Sequence, residues 1–251
     1  MIEEIIAQFD LGQSLTVGLI LFSATVVVRV SGFGGSLVAI PLIAPIIGLS
    51  AAPPLMNLFG VTNFSTVIVQ RWRDLTFKDV WRLSLMNVLI TPFGIWTLNF
   101  VTEDFLRTTL GIVCIVYAGL RMFNVPAPKL ARPFWQWVYG FISGIFTGTF
   151  GVGGVPAVLY ADTQSWEAER FRLNLFTFFF ITGYVNLISR FIAGQYTPTI
   201  VVLWLTTIPF LFAGLWVGER LSRIVKQEQF SYLVLFLLIV LGGRLIYSVF
   251  G

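Results

Sequence analysis

The chain has 251 residues, of which 57% are hydrophobic and only 11% are charged. An average soluble domain carries about 25% charged residues, so this composition excludes a water-soluble fold. It predicts an all-α, polytopic integral membrane protein. The formal net charge of +4 does not indicate a nucleic-acid partner, because the basic residues of membrane proteins concentrate in cytoplasmic loops.

The chain contains no histidine and a single cysteine, Cys114. These counts exclude histidine catalysis, a histidine metal site, an intrachain disulfide and a paired-cysteine metal motif. The apolar segments also contain no paired carboxylates and no serine with a neighbouring base, which disfavours an intramembrane enzyme. We therefore expect no catalytic residues, no bound metal and no cofactor.

Charged residues divide the chain into apolar runs, and a helix needs about 20 residues to cross the hydrocarbon core of a bilayer. The runs predict eight long helices, which in chain order cover 12–30, 53–70, 80–101, 104–122, 134–149, 169–192, 198–218 and 229–249. Two shorter apolar segments, 36–47 and 155–161, each follow a glycine cluster. They are predicted either to span the membrane or to enter it partway, which gives eight to ten spans.

The basic residues predict the orientation of the chain in the membrane. Most of the 16 lysines and arginines fall in four loops, at 71–82, 121–132, 162–172 and 219–228. Because basic loops stay in the cytoplasm, these four loops are predicted to face the cytoplasm. Both termini are then on the outer side.

The two halves of the chain resemble each other in four short stretches that occur in the same order. The matching stretches are 31–35 with 150–154, 56–59 with 173–176, 94–96 with 214–216, and 119–121 with 242–244. These matches predict a first transmembrane repeat at 1–123, a cytoplasmic linker at 124–133 and a second repeat at 134–251.

The repeat is predicted to be inverted in the membrane. The basic loops make segment 53–70 run from outside to inside, whereas its counterpart 169–192 runs from inside to outside. Inverted repeats with interrupted helices are an architecture of membrane transporters, and the interruptions mark the substrate site.

Each glycine cluster precedes one of the two short apolar segments. If those segments are helices, their N-termini present free N–H donors and a partial positive charge. Two such ends that face each other would bind a small oxyanion without a charged side chain. The glycines predicted to form this site are Gly32, Gly34 and Gly35 in the first motif and Gly151, Gly153 and Gly154 in the second. The alternative is that these glycines only permit close packing of helices.

Polar side chains near the motifs complete the predicted site. The candidates are Arg29, an arginine within an apolar helix, the hydroxyls of Ser36 and Thr149, and the amides of Asn57 and Asn174. The two asparagines are preferred because they occupy matching positions of the repeat; Asn63, Thr147 and Asn186 also lie near the motifs. Arg190 lies nearer the end of its helix and is predicted to extend its side chain to the membrane interface.

The glycine motifs resemble those of the TauE/SafE sulfite exporter family. The residues that carry the resemblance are Gly32-Phe33-Gly34-Gly35 with Pro41 downstream, and the segment 148–154 with Pro156. The similarity extends over essentially the whole chain. Ser36 and Val155 stand where many members continue the glycine run, so the two half-sites are expected to be unequal.

The resemblance implies a permease or exporter for small sulfur-containing anions, such as sulfite or an organosulfonate like sulfoacetate, in the bacterial cytoplasmic (inner) membrane. We expect alternating access between two inverted halves, with the anion between the glycine motifs. The expected partners are this anion and the lipid bilayer, and the apolar faces would allow a homodimer. Two alternatives remain: a transporter of another small anion, such as thiosulfate or a carboxylate, and a membrane scaffold or assembly factor without transport.

Overall fold

The computed structural model describes residues 11–123, 130, 132–164, 166–225 and 227–250. These residues form ten α-helices and no strand. The helices are α1 (Leu11–Ser31), α2 (Gly35–Ile47), α3 (Ala52–Arg71), α4 (Phe77–Thr97), α5 (Glu103–Met122), α6 (Phe134–Phe150), α7 (Gly154–Asp162), α8 (Ala168–Ile192), α9 (Pro198–Ile224) and α10 (Gln227–Phe250). The all-α prediction is confirmed, and both short apolar segments are helices.

Two helix ends differ clearly from the predicted boundaries. Helix α4 ends at Thr97 rather than at 101, because the next residues turn back onto its last carbonyls. Helix α9 continues past the predicted end at 218 to Ile224. The extension contains the ion pair between Glu219 and Arg223, four residues apart, with 3.2 Å between Oε1 and Nη2. Such pairs support a helix beyond its apolar run. Most of the predicted linker, 124–129 and 131, lies outside the described residues.

Five helical segments are long and apolar enough to cross a membrane. They are Leu11–Ser31, Glu103–Met122, Glu169–Ile192, Pro198–Ile224 and Tyr232–Val249. Helices α3 and α4 are long enough but are not among these five segments, and α6 has only 17 residues. The five segments are those of a multi-pass membrane protein.

The helices of the two halves pack in corresponding pairs. Helix α1 packs on α9, and its counterpart α6 packs on α4. Within the first half α2 packs on α1 and α3, and within the second half α7 packs on α6 and α8 in the same way. Helix α5 packs on α10 and α3 packs on α8, so counterparts also contact each other. The first helix of each half therefore packs on a helix of the other half. The inverted relation of the halves across a membrane stays a prediction.

Glycines allow the closest of these crossings. Helix α6 carries Gly140, Gly144 and Gly148 at intervals of four residues, and all three face the backbone of α4. A Cβ added to Gly144 would lie 2.8 Å from the carbonyl oxygen of Asn87. In the corresponding pair, a Cβ on Gly214 of α9 would lie 2.8 Å from the carbonyl oxygen of Phe22 in α1. Small residues at such spacing let helix backbones approach within a membrane.

Candidate functional site

Both glycine motifs interrupt the path of a helix. Between α1 and α2 the chain turns through Gly32 (φ +86°) and Gly34 (φ +89°), and between α6 and α7 it turns through Gly151 (φ +71°). These are left-handed conformations, which cost other residues about 1–2 kcal/mol and glycine very little. The hydroxyl of Ser31 donates to the carbonyl of Phe33 at 2.8 Å and holds the first turn. The motifs therefore start α2 and α7 inside the protein.

The two motifs border one cavity of about 110 Å³. Helices α3 and α8 form its walls. The predicted site residues that line it are Gly34, Gly35, Ser36, Asn57, Gly151, Gly153 and Gly154. Because a single water needs about 10–15 Å³ of such space, the cavity has room for an anion of a few heavy atoms.

Most of the lining of this cavity is apolar, and its polar side chains are uncharged. Among the described residues that border it, none is an aspartate, glutamate, lysine or arginine. Its polar side chains are those of Ser36, Asn57, Asn63, Thr147, Thr182 and Asn186. Hydroxyl and amide groups can donate hydrogen bonds to an anion, and the lining contains no carboxylate that would repel one.

The helix N-termini at the cavity are not capped by side chains. At α2 the first residues, Gly35 and Ser36, have no hydrogen-bonded partner one turn earlier, so their N–H groups are free to donate. At α7 the N–H of Val155 donates to the carbonyl of Val152 at 3.2 Å, and Pro156 has no N–H. The two ends are therefore unequal, and α2 offers more free donors than α7.

Each wall helix contributes a glycine followed three residues later by an asparagine. These pairs are Gly60 with Asn63 on α3, and Gly183 with Asn186 on α8. Asn63 is only 2% exposed, and its side-chain oxygen is buried without a hydrogen-bond partner. An unpaired buried polar group costs about 1–3 kcal/mol. The oxygen of Asn63 is thus an acceptor that a water or another hydrogen-bond donor would satisfy, and no partner holds the amide in this orientation.

Asn57 also lines the cavity, but its amide is already paired. Its nitrogen donates to the carbonyl of Gly183 at 3.2 Å, and its oxygen accepts from the hydroxyl of Tyr196 at 2.6 Å. These bonds join α3 to α8 and to the segment that follows α8. Asn57 therefore closes the cavity wall rather than offering a free donor.

Four predicted site residues do not line the cavity. Arg29 is 8% exposed and donates to the hydroxyl of Thr66 at 3.2 Å. Gly32 lies in the turn beside α8, and Thr149 donates to the carbonyl of Gly94 at 3.1 Å. Asn174 accepts from the hydroxyl of Thr76 at 2.6 Å and donates to Asp79 at 3.2 Å. The contacts of Arg29, Thr149 and Asn174 join helices outside the cavity.

Asn63 and Asn186 line the cavity, although the match of 56–59 with 173–176 favoured Asn57 and Asn174. A match of the step from Gly60 to Asn63 with the step from Gly183 to Asn186 would have identified the cavity asparagines.

The prediction that Arg190 reaches the membrane interface is wrong. The residue is 0% exposed, and its guanidinium points into the protein. It donates to the carbonyls of Thr147 at 3.0 Å and Gly148 at 2.9 Å, which are the last turn of α6. It also donates to Asn186 and Gln195. These four acceptors explain why the side chain stays buried.

Five apolar helices, two interrupted helix paths and a small cavity between them define a polytopic α-helical membrane protein. A family model described as "Sulfite exporter TauE/SafE" matches residues 17–245, and the chain belongs to this family. A relative from Cupriavidus necator, described as a probable sulfite/organosulfonate exporter TauE, is 23% identical over 201 residues, covering 76% of this chain and 77% of the relative. No solved structure matches the chain. The chain is therefore a member of a family of membrane exporters.

Proposed function

We propose that this protein carries sulfite or a small organosulfonate across the bacterial cytoplasmic membrane, and that it is a transporter without enzymatic activity. The observation that carries the proposal is the cavity at which the N-termini of α2 and α7 meet and which, among the described residues, has no charged side chain in its lining. The name of the relative from Cupriavidus necator supports the same class of substrate.

The donors around the cavity suit an anion that carries its charge on several oxygens. Removing such an ion from water costs several kcal/mol, which hydrogen bonds within the protein must offset. The free N–H groups at the start of α2, the hydroxyl of Ser36 and the nitrogen of Asn63 would supply these bonds, with the unpaired oxygen of Asn63 turned away from the anion. The helix N-termini add a partial positive charge. Arg29 follows the cavity-lining residue Val28 in α1 and would add positive potential without direct contact.

The proposed mechanism is alternating access between two inverted halves, with both termini on the outer side. Two contact sets would close the cavity in turn. On the predicted cytoplasmic side, the ring of Phe33 contacts Tyr117 edge-to-face and lies 5.7 Å from the guanidinium carbon of Arg121, which pairs with Asp162 at 2.7 Å. On the predicted outer side, the hydroxyl of Tyr196 bonds to Asn57. If the contacts on one side break while those on the other side remain, the cavity opens to one side of the membrane at a time.

The test is the thermal stability of the detergent-purified protein with sulfite, sulfoacetate, taurine, thiosulfate, sulfate, acetate and chloride at constant ionic strength. We expect sulfite or a sulfonate to stabilise the protein selectively, by about 2.7 kcal/mol at 100 times its dissociation constant. The stabilisation should weaken in Asn63→Ala and persist in Asn99→Ala, which removes an exposed asparagine outside the cavity.

Other outcomes would favour the alternatives. Selective stabilisation by thiosulfate or acetate would indicate a different class of substrate that binds at the same cavity. A flat response, together with no sulfite flux in proteoliposomes, would contradict the proposal and favour a scaffold or assembly factor.

A further inference from the structure

Arg190 is a buried cation that has no carboxylate partner in the described part of the chain. Among the described residues, none of the ion pairs includes it, and every group that its guanidinium contacts is neutral. Burial of an arginine within a membrane protein is expensive and usually has a functional reason. The positive charge lies directly behind the cavity wall, because Asn186, which Arg190 contacts, lines the cavity.

The contacts of Arg190 leave its guanidinium no freedom to rotate. Nε donates to Oδ1 of Asn186 at 3.0 Å, Nη1 donates to Oε1 of Gln195 at 2.6 Å, and Nη2 donates to the carbonyls of Thr147 and Gly148. A guanidinium is planar and presents its donors in a fixed fork. Each edge of this fork therefore has its own acceptor.

The bond to Asn186 decides which atom of that amide faces the cavity. An asparagine amide has one acceptor oxygen and one donor nitrogen. Arg190 can only donate, so it must hold the oxygen. The nitrogen of Asn186, which has no hydrogen-bond partner among the described residues, is then the atom left for the cavity.

We infer that Arg190 is a positioning residue that fixes the amide of Asn186 with its nitrogen toward the bound anion, and so selects anions over other solutes. This inference rests on the proposed function. Asn63 on the opposite wall has Val67 four residues later, where Asn186 has Arg190. The amide of Asn63 can therefore present either its oxygen or its nitrogen, and of these two asparagines only Asn186 has a fixed orientation.

A purely structural role for Arg190 must be distinguished from this one, because the bonds to Thr147 and Gly148 also cap the C-terminal end of α6. Arg190→Lys keeps the positive charge but loses the planar fork. We expect it to weaken sulfite binding about tenfold, the loss of one charge-assisted hydrogen bond. In the Asn186→Ala background the same change should have almost no further effect.

Asn63→Ala provides the matched background, since Asn63 lines the same cavity without contacting Arg190. There, Arg190→Lys should keep its full tenfold effect. An equal loss in the Asn186→Ala and Asn63→Ala backgrounds would overturn the inference and leave Arg190 as a cap of α6.

Asn186→Asp tests the inference if Arg190→Lys does not fold. The new carboxylate keeps an oxygen for Arg190 and pairs with its charge, so the melting temperature should not fall. It also replaces the cavity-facing nitrogen by an oxygen, so sulfite affinity should fall more than tenfold. Unchanged affinity in this variant would overturn the inference.

A measurement without ligand separates this inference from the proposed function. In protein with ¹⁵N-labelled asparagine side chains, the amide signal of Asn186 is identified by its loss in Asn186→Ala. We expect Arg190→Lys to shift or split this signal and to leave that of Asn63 unchanged. An unaltered Asn186 signal overturns the inference. A shifted signal in a protein that binds no anion supports the positioning role and rejects the proposed substrate instead.

Discussion

Replacing Gly148 by alanine is expected to destabilise the protein by about 3 kcal/mol or more, at the upper end of overpacking effects. A Cβ at this position would lie 2.6 Å from the backbone nitrogen of Ile95 and 2.7 Å from the carbonyl carbon of Gly94. Backbone atoms cannot rotate away as a side chain can, so α6 would have to move off α4. That movement would also shift the carbonyl of Gly148 that Arg190 holds.

The measurement is the melting temperature and the monodisperse fraction of the detergent-purified variant. Gly119→Ala is the matched control, because Gly119 lies within α5 and an added Cβ would have no neighbour within 4 Å. Alanine is the better helix former by up to about 1 kcal/mol, so this control should be as stable as the parent protein or more stable. Similar losses in both variants would show that the close crossing of α4 and α6 does not limit stability.

The helices and their interruptions could be predicted because they depend on local properties of the sequence. A run of apolar residues between charges marks a buried helix wherever it packs. Gly34 and Gly151 mark turns, because glycine adopts a left-handed backbone conformation without the strain that other residues incur. Both motifs and both short helices were therefore predicted at nearly their observed positions.

The identity of the cavity side chains could not be predicted in the same way. Whether Asn63 or Asn174 faces the cavity depends on how α3 and α8 rotate against their neighbours, and close contacts between distant residues set that rotation. Asn174 points instead to Asp79 on α4. Arg190 was misjudged for the same reason, because its acceptors Thr147 and Gly148 are distant in sequence.

Replacing Gly34 by alanine is expected to weaken sulfite binding at least tenfold while lowering stability by only about 1–2 kcal/mol, the strain of an L-residue in a left-handed conformation. Space is not the obstacle, because the nearest neighbour of the added Cβ would be Val27 at 3.8 Å. The strain is relieved by rotating the peptide groups at the start of α2. That rotation turns their N–H groups away from the cavity, and a lost hydrogen bond to an anion is worth about tenfold in affinity.

Gly48→Ala isolates this effect, because Gly48 lies at the other end of the same helix and also has a positive φ, +91° with ψ 151°, in a region that is essentially confined to glycine. Its added Cβ is also unhindered, with Ser50 at 3.9 Å, and Gly48 does not line the cavity. Gly48→Ala should lose at least as much stability as Gly34→Ala in thermal melts, whereas calorimetric titration with sulfite should show weaker binding for Gly34→Ala alone. Equal affinities would mean that the N-terminus of α2 does not contact the anion, and the donors would then have to come from the asparagines of α3 and α8.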